Sequence, residues 1–169
     1  MRYEKTFFNG WIAENSLMQD TKDKAMKAAD ERRNIIMVGN CGTGKTMLAH
    51  CIANSFSTSI VATASGIGRA FRDNMATGKG TEREIIDAIT KDCEYLVIDE
   101  IGTYKLTEYE YRMINEIIDI RYELMLPTAL VSNLDIEGLK HVLGERVVDR
   151  MRSDGGLLAA FTWESSRGK

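Results

Sequence analysis

Gly39-Asn40-Cys41-Gly42-Thr43-Gly44-Lys45-Thr46 is the stretch that decides the fold. It fits the phosphate-binding pattern G-x-x-x-x-G-K-[ST], and its surroundings are those in which the pattern works. Asn34-Ile35-Ile36-Met37-Val38 ahead of it is an apolar run suited to a buried strand. Met47-Leu48-Ala49-His50-Cys51-Ile52-Ala53-Asn54 behind it can form a helix. The glycines let the backbone curl so that N–H groups point inward at phosphate oxygens. A helix N-terminus adds about half a positive charge at the same place. Asn40, Cys41, Gly42, Thr43, Gly44 and Met47 are therefore expected around the phosphates. Lys45 can reach the outer phosphates, and the Thr46 hydroxyl can hold Mg²⁺.

The 169-residue length suits one domain with a sizeable core. The expected division is a linker and helix over 1–33 and a nucleotide-binding core over 34–169. An apolar content of 44% and a charged content of 28% are ordinary for a globular protein. Cys41, Cys51 and Cys93 are too scattered for a disulfide framework or a zinc site. Reduced thiols and a start without an apolar leader run lead us to expect a cytoplasmic protein with no membrane partner. A net charge of −3 argues against a surface coated for tight duplex binding.

Strand-like and helix-like runs alternate along the chain. Strands are expected at Ile35–Val38, Ser59–Thr63, Tyr95–Asp99, Thr128–Ser132 and Leu157–Trp163. Helices are expected at Lys45–Phe56, Ile67–Met75, Glu82–Lys91, Glu108–Tyr122, Ile136–Val142 and Glu145–Arg152. Ile114, Ile117, Ile118, Arg121 and Tyr122 form a mostly apolar stripe at helical spacing, directed at the sheet. Alternation of this kind implies an α/β fold, a five-stranded, mainly parallel sheet with helices on both faces. Ligands then bind beyond the carboxyl ends of the strands.

A phosphate loop alone binds nucleotide; hydrolysis needs more. Tyr95-Leu96-Val97-Ile98-Asp99-Glu100 ends a buried strand in two carboxylates. Asp99 is placed to hold the Mg²⁺ shell, and Glu100 to orient and polarise an attacking water. Kinases built on the same loop usually lack the second acid, because their nucleophile is a bound substrate. The expected cofactors are ATP or ADP with Mg²⁺. Asn133 follows the Thr128–Ser132 strand and comes within reach of the γ-phosphate if that strand lies between the first and third. Arg146 and Arg150, four apart on one helix, share a side expected to be exposed, where a cluster with Asp149 is the plain alternative. Arginine suits a developing phosphate charge. Arg167, after the last strand, is a second candidate. His50 and His141 lack partners at metal spacing and are expected to be structural.

The order of GxxxxGKT, VIDE, SN, LGERVVDRMR and FTWESSR resembles the bacterial replicative-helicase loaders of the DnaC/DnaI type, an AAA+ group. The likeness is closest from Tyr95 to Arg152 and extends more loosely from about Phe8 to Arg167. It implies a three-layer P-loop NTPase of the AAA+/ASCE kind with little or no C-terminal lid, which assembles head to tail. Lys45 and Thr46 would be Walker A contacts, Asp99 and Glu100 the Walker B pair, and Asn133 sensor 1. Arg150 matches the trans-acting arginine finger better than Arg146, and Arg167 matches sensor 2. Phe8-Asn9-Gly10-Trp11-Ile12 resembles the segment that cups adenine, with Trp11 and Ile12 as contacts; Phe8 and Trp11 equally suit plain core positions. The family binds single-stranded DNA, and Thr107 and Tyr109 match positions implicated there. A helix cap at Thr107 and an ordinary exposed Tyr109 is the alternative.

The implied partner is a replicative hexameric helicase, although the sequence has no obvious N-terminal helicase-binding domain. Two other readings stay open: an IstB-like transposition ATPase acting on duplex DNA, and a nucleotide-gated binding module with little turnover. Arg69, Arg72, Lys79 and Arg83 could line a path for DNA phosphates, but a solvated face is the simpler expectation.

Overall fold

The computed structural model describes residues 6–77 and 81–165, with the backbone alone at 75–77. Lys79 and Arg167 lie outside the described residues. Five strands build the sheet: β1 (Ile35–Gly39), β2 (Ser59–Thr63), β3 (Tyr95–Ile101), β4 (Thr128–Ser132) and β5 (Leu157–Phe161). Their order is β2-β3-β4-β1-β5, and every pair is parallel. The expected strand order around β4 is therefore met, with β4 lying between β1 and β3.

Seven α-helices join the strands among the described residues: α1 (Ser16–Asp30), α2 (Lys45–Ala53), α3 (Ala64–Thr77), α4 (Glu82–Thr90), α5 (Glu108–Glu123), α6 (Ile136–Leu143) and α7 (Glu145–Arg152). Strand residues alternate between two cores. Ile35 and Met37 pack with α1 and α2, whereas Ile36 and Val38 pack with α3 through α7. Both faces are thus buried, which is why the strands read as unbroken apolar runs. The result is the three-layer α/β fold of P-loop NTPases.

Helix starts follow local chemistry. The Asn15 side chain caps α1 by accepting from Met18 N–H, and Asp135 caps α6 through Gly138 N–H. Thr81–Glu84 and Thr107–Glu110 close capping boxes on α4 and α5. The helix after β2 begins at once, three residues ahead of the expected Ile67, because Thr63 Oγ1 accepts from Gly66 N–H at 3.0 Å. Two ends are shorter than expected: α2 stops at Ala53 and β5 at Phe161, short of Trp163.

Arg121 is the one charged member of the expected apolar stripe. It lies on the sheet-facing stripe of α5 but is fully buried. Its Nε donates to Thr128 Oγ1 at 2.9 Å, and its guanidinium reaches the carbonyls of Ile89, Cys93, Glu94 and Pro127. One side chain thereby ties α4, the entry to β3 and the entry to β4 to α5. Burial pulls its pKa below the usual guanidinium value. No carboxylate is among the described hydrogen-bond partners of its guanidinium, so carbonyl dipoles carry the solvation.

Candidate nucleotide-binding and hydrolysis site

The phosphate loop runs from the end of β1 to the start of α2. Gly39, Gly42 and Gly44 adopt φ of 127°, 79° and 94°, which L side chains rarely tolerate. Gly44 also has a packing reason: a Cβ there would stand 3.0 Å from the Trp11 indole nitrogen. Lys45 is 4% exposed, and its Nζ folds back on the loop, 2.5 Å from the Gly39 carbonyl and 2.6 Å from that of Asn40. Thr43 Oγ1 donates to the Asn40 carbonyl at 2.8 Å. The loop is thus curled around an ammonium group at a helix N-terminus, the arrangement that suits phosphate. Asn40 and Cys41 are exposed at its rim, while Thr46 and Met47 are half-buried in the first turn of α2.

Two tryptophans brace this loop from behind. Trp11 Nε1 donates to the Gly44 carbonyl at 3.1 Å, and Trp163 Nε1 to the Thr43 carbonyl at 2.9 Å. The two rings meet edge to face with centroids 6.4 Å apart, and Phe161 lies 4.8 Å from Trp163. Trp11 is buried, whereas Ile12 beside it is 76% exposed. Lys22 Nζ fixes the turn between them by donating to the Trp11 carbonyl at 2.9 Å. Trp163 was missed in the sequence; its signal was the tryptophan two residues past a buried strand end.

The acid pair sits on a β-bulge. Ile98 pairs with Leu130 and Ile101 with Ser132, so three steps along β3 match two along β4. Ile98 and Ile101, three apart, consequently pack into the same core. The extra residue turns Glu100 outward at φ 58°, a conformation that costs a non-glycine residue ~1–3 kcal/mol and gathers at functional sites. Asp99 stays buried, and its Oδ1 accepts the Glu100 N–H at 2.6 Å. One carboxylate is therefore held still at the rim and the other offered to solvent. A threonine hydroxyl and a buried carboxylate are oxygen donors of the kind Mg²⁺ takes, so Thr46 and Asp99 fit that ion.

Asn133 is suspended between these two halves. Ser132 Oγ donates to the Ile101 carbonyl at 2.6 Å and accepts from Leu134 N–H. The Leu134 carbonyl in turn accepts from Gly39 N–H at 3.2 Å. The residue before Asn133 is thus tied to the strand of the acids, and the residue after it to the phosphate loop. Asn133 itself is exposed.

The arginines lie elsewhere. α7 leads through Ser153–Gly155 to Leu157, whose N–H donates to the Asn34 carbonyl at the N-terminal edge of the sheet. Arg150, in the last turn of α7, is thus near the edge opposite the phosphate rim. The alternative reading, a cluster of Arg146 and Arg150 with Asp149, gives way to another: both arginines pair with Asp119 of α5. Arg150 is only 22% exposed and lies over the Tyr122 ring at 5.6 Å, so the shared exposed side holds for Arg146 alone. Lys140 of α6 pairs with Glu137 of its own helix at 2.9 Å.

Thr107 and Tyr109 are committed within the fold. Thr107 exchanges hydrogen bonds with Glu110 in the capping box, and Tyr109 donates to Glu82 at 2.6 Å. Tyr109 is half-buried with its ring edge to face on Phe71, rather than freely exposed. Burial and the Glu82 carboxylate push its hydroxyl pKa up to about 12. Arg72 pairs with Glu110, and Arg83 with Asp87 at 3.2 Å. His50 is buried in α2, and no group of acids, histidines and cysteines at metal-binding distance occurs among the described residues. No helix among them is long and apolar enough to cross a membrane.

Known proteins are similar to this chain in sequence and in fold. Replicative helicase loader DnaC of Escherichia coli (strain K12) is 34% identical over 140 residues, 80% of this chain and 57% of that protein. Replicative helicase loader DnaC of Buchnera aphidicola subsp. Baizongia pistaciae (strain Bp) is 37% identical over 157 residues, 88% of this chain and 62% of that protein. The chain therefore spans less than two thirds of either relative. Among solved structures, the DnaC helicase loader superposes with a TM-score of 0.79 at 18% identity, covering 96% of this chain and 99% of that one. AMPPCP-bound DnaA from Aquifex aeolicus superposes with a TM-score of 0.78 at 21% identity, covering 92% of this chain and 50% of that one. These structural likenesses establish the α/β P-loop NTPase fold. Residues 20–152 match the family described as IstB-like ATP binding protein, and the chain belongs to that family.

Proposed function

We propose that this domain binds ATP with Mg²⁺, hydrolyses it at head-to-tail subunit contacts, and serves to load or remodel a replicative helicase on single-stranded DNA. The observation that carries the reading is the tethering of Asn133 between the acid-bearing strand and the phosphate loop. Lys45 and the loop amides hold the phosphates. Thr46 and Asp99 would hold Mg²⁺, which when bound would supply charge neutralisation. Glu100, turned out of the sheet by the bulge, accepts a proton from the attacking water and aims it, with Asn133 fixing the water's other side. Arg150 acts on the nucleotide of the adjoining subunit, since its own phosphate rim is at the far edge of the sheet. Heterologous contacts of this kind build rings or open spirals. Arg167 is the proposed arginine acting in cis, and the segment Trp11–Ile12 lies against the adenine. The loader role rests on the DnaC relatives, and single-strand contact is assigned to the helix start at Thr107 and Tyr109.

The test is ATP turnover per subunit as protein concentration rises. Wild type becomes more active as subunits meet, and Arg150→Ala stays flat, losing ~10³-fold or more. Equal turnover by the two proteins ends the trans reading. With an ATP analogue bound, affinity for single-stranded DNA falls with salt at a log–log slope of about −0.7 per phosphate contacted. Absence of such binding removes the loading role. The family is described as IstB-like, and a second reading is therefore an IstB-like transposition ATPase acting on duplex DNA, which tighter duplex than single-strand binding would select.

A further inference from the structure

The pairing of Asp119 with both Arg146 and Arg150 has a chemistry beyond helix packing. Its Oδ2 lies 3.1 Å from Arg146 Nη2, while its Oδ1 pairs with Arg150. Two guanidinium groups four residues apart on one helix repel each other, and a shared carboxylate relieves that repulsion. The cluster nevertheless holds two positive charges against one negative. Tyr122 adds a second wall: the Arg150 guanidinium lies over its ring, so both its direction and its rotamer are set before any anion arrives. Arg146, 73% exposed, has that carboxylate as its one ion-pair partner among the described residues.

We propose that Asp119 is a positioning residue for the trans-acting arginine: it and Tyr122 hold Arg150 ready for the γ-phosphate on the neighbouring subunit, with Arg146 as the outer charge. This rests on the reading of Arg150 given above. An arginine carried by a flexible side chain must be immobilised when it meets phosphate. Prior fixation lowers that entropic cost and raises turnover, not nucleotide affinity. Asp119 stands away from its own subunit's phosphate loop, so its loss leaves that loop able to bind.

The experiment uses Asp119→Asn, which removes the charge at nearly constant shape, and follows turnover and nucleotide binding separately. The expected result is a ~10–100-fold fall in kcat at saturating protein. The Kd of the isolated subunit for a fluorescent ATP analogue stays the same, and Asp119→Glu restores most of the turnover. Mixing then separates positioning from general damage. A Lys45→Ala subunit cannot cradle phosphate but still presents an intact Arg150. Added to Asp119→Asn, it restores ATP hydrolysis, as it does when added to Arg150→Ala. If Asp119→Asn turns over like wild type while Arg150→Ala is inactive, the positioning role falls and the trans arginine stands. If Arg150→Ala is itself fully active, the parent reading falls. If Lys45→Ala rescues Arg150→Ala but not Asp119→Asn, Asp119 acts on folding or on its own site, and the proposal is overturned.

Discussion

Trp163 donates its indole N–H to the carbonyl of Thr43, 2.9 Å away and 120 positions earlier in the chain. With Trp11 on Gly44, both tryptophans of the protein hold the back of the phosphate loop. Nucleotide entering the loop is therefore expected to change their emission. Titrating ATP into the single-tryptophan variants Trp11→Phe and Trp163→Phe measures each separately. Each substitution also removes one hydrogen bond to the loop, a loss of ~1 kcal/mol that weakens nucleotide binding by several-fold. Unchanged emission from both variants at saturating ATP would contradict the geometry.

Lys45 and Glu100 are expected to separate binding from hydrolysis. Lys45→Ala removes the buried ammonium that the loop encloses and abolishes nucleotide binding. Glu100→Gln keeps the side chain's size in the strained bulge position and leaves ATP bound, while turnover falls ~10²–10⁴-fold. Calorimetry for binding and phosphate release for turnover check the pair. Hydrolysis at the wild-type rate by Glu100→Gln would assign the base elsewhere.

Arg121 is expected to dominate stability outside the site. Arg121→Met retains volume but takes the guanidinium donors away from the carbonyls of Ile89, Cys93, Glu94 and Pro127. The loss should be ~3–5 kcal/mol, a large share of the stability of an average domain. Arg121→Lys keeps the charge but not the fork, and should fall between. Urea unfolding measures both, and a Met variant within 1 kcal/mol of wild type would refute the account.

Glu110 provides a pH-dependent term. It accepts hydrogen bonds from Thr107 and pairs with Arg72, and these hold its carboxyl below its ordinary value of 4.5. A group with a lowered folded pKa stabilises the fold above its unfolded pKa and loses that effect as pH falls through the folded one. Wild type should exceed Glu110→Gln in stability by ~1–2 kcal/mol at pH 7. The difference should shrink below about pH 4.5. Thermal melts of both proteins from pH 7 to pH 3 measure it; a constant difference would exclude the ionised form as the source.

Short-range chemistry was legible in the chain. The phosphate loop, the buried strands, the acids at the end of β3, Asn133 after β4 and the α/β layering all follow from apolar runs, glycines and spacing within some twenty residues. The resemblance to helicase loaders rested on the order of these same pieces, and family membership agrees with it. Tertiary structure decided the rest. It set the bulge that turns Glu100 out, the choice of Asp119 over Asp149 as the arginines' partner, the burial of Arg121 and the use of Trp163 as a brace. Each of these joins residues on different strands or helices. A helix period reports which side chains share a face, but only the packing of parallel strands with their crossovers determines which face meets which.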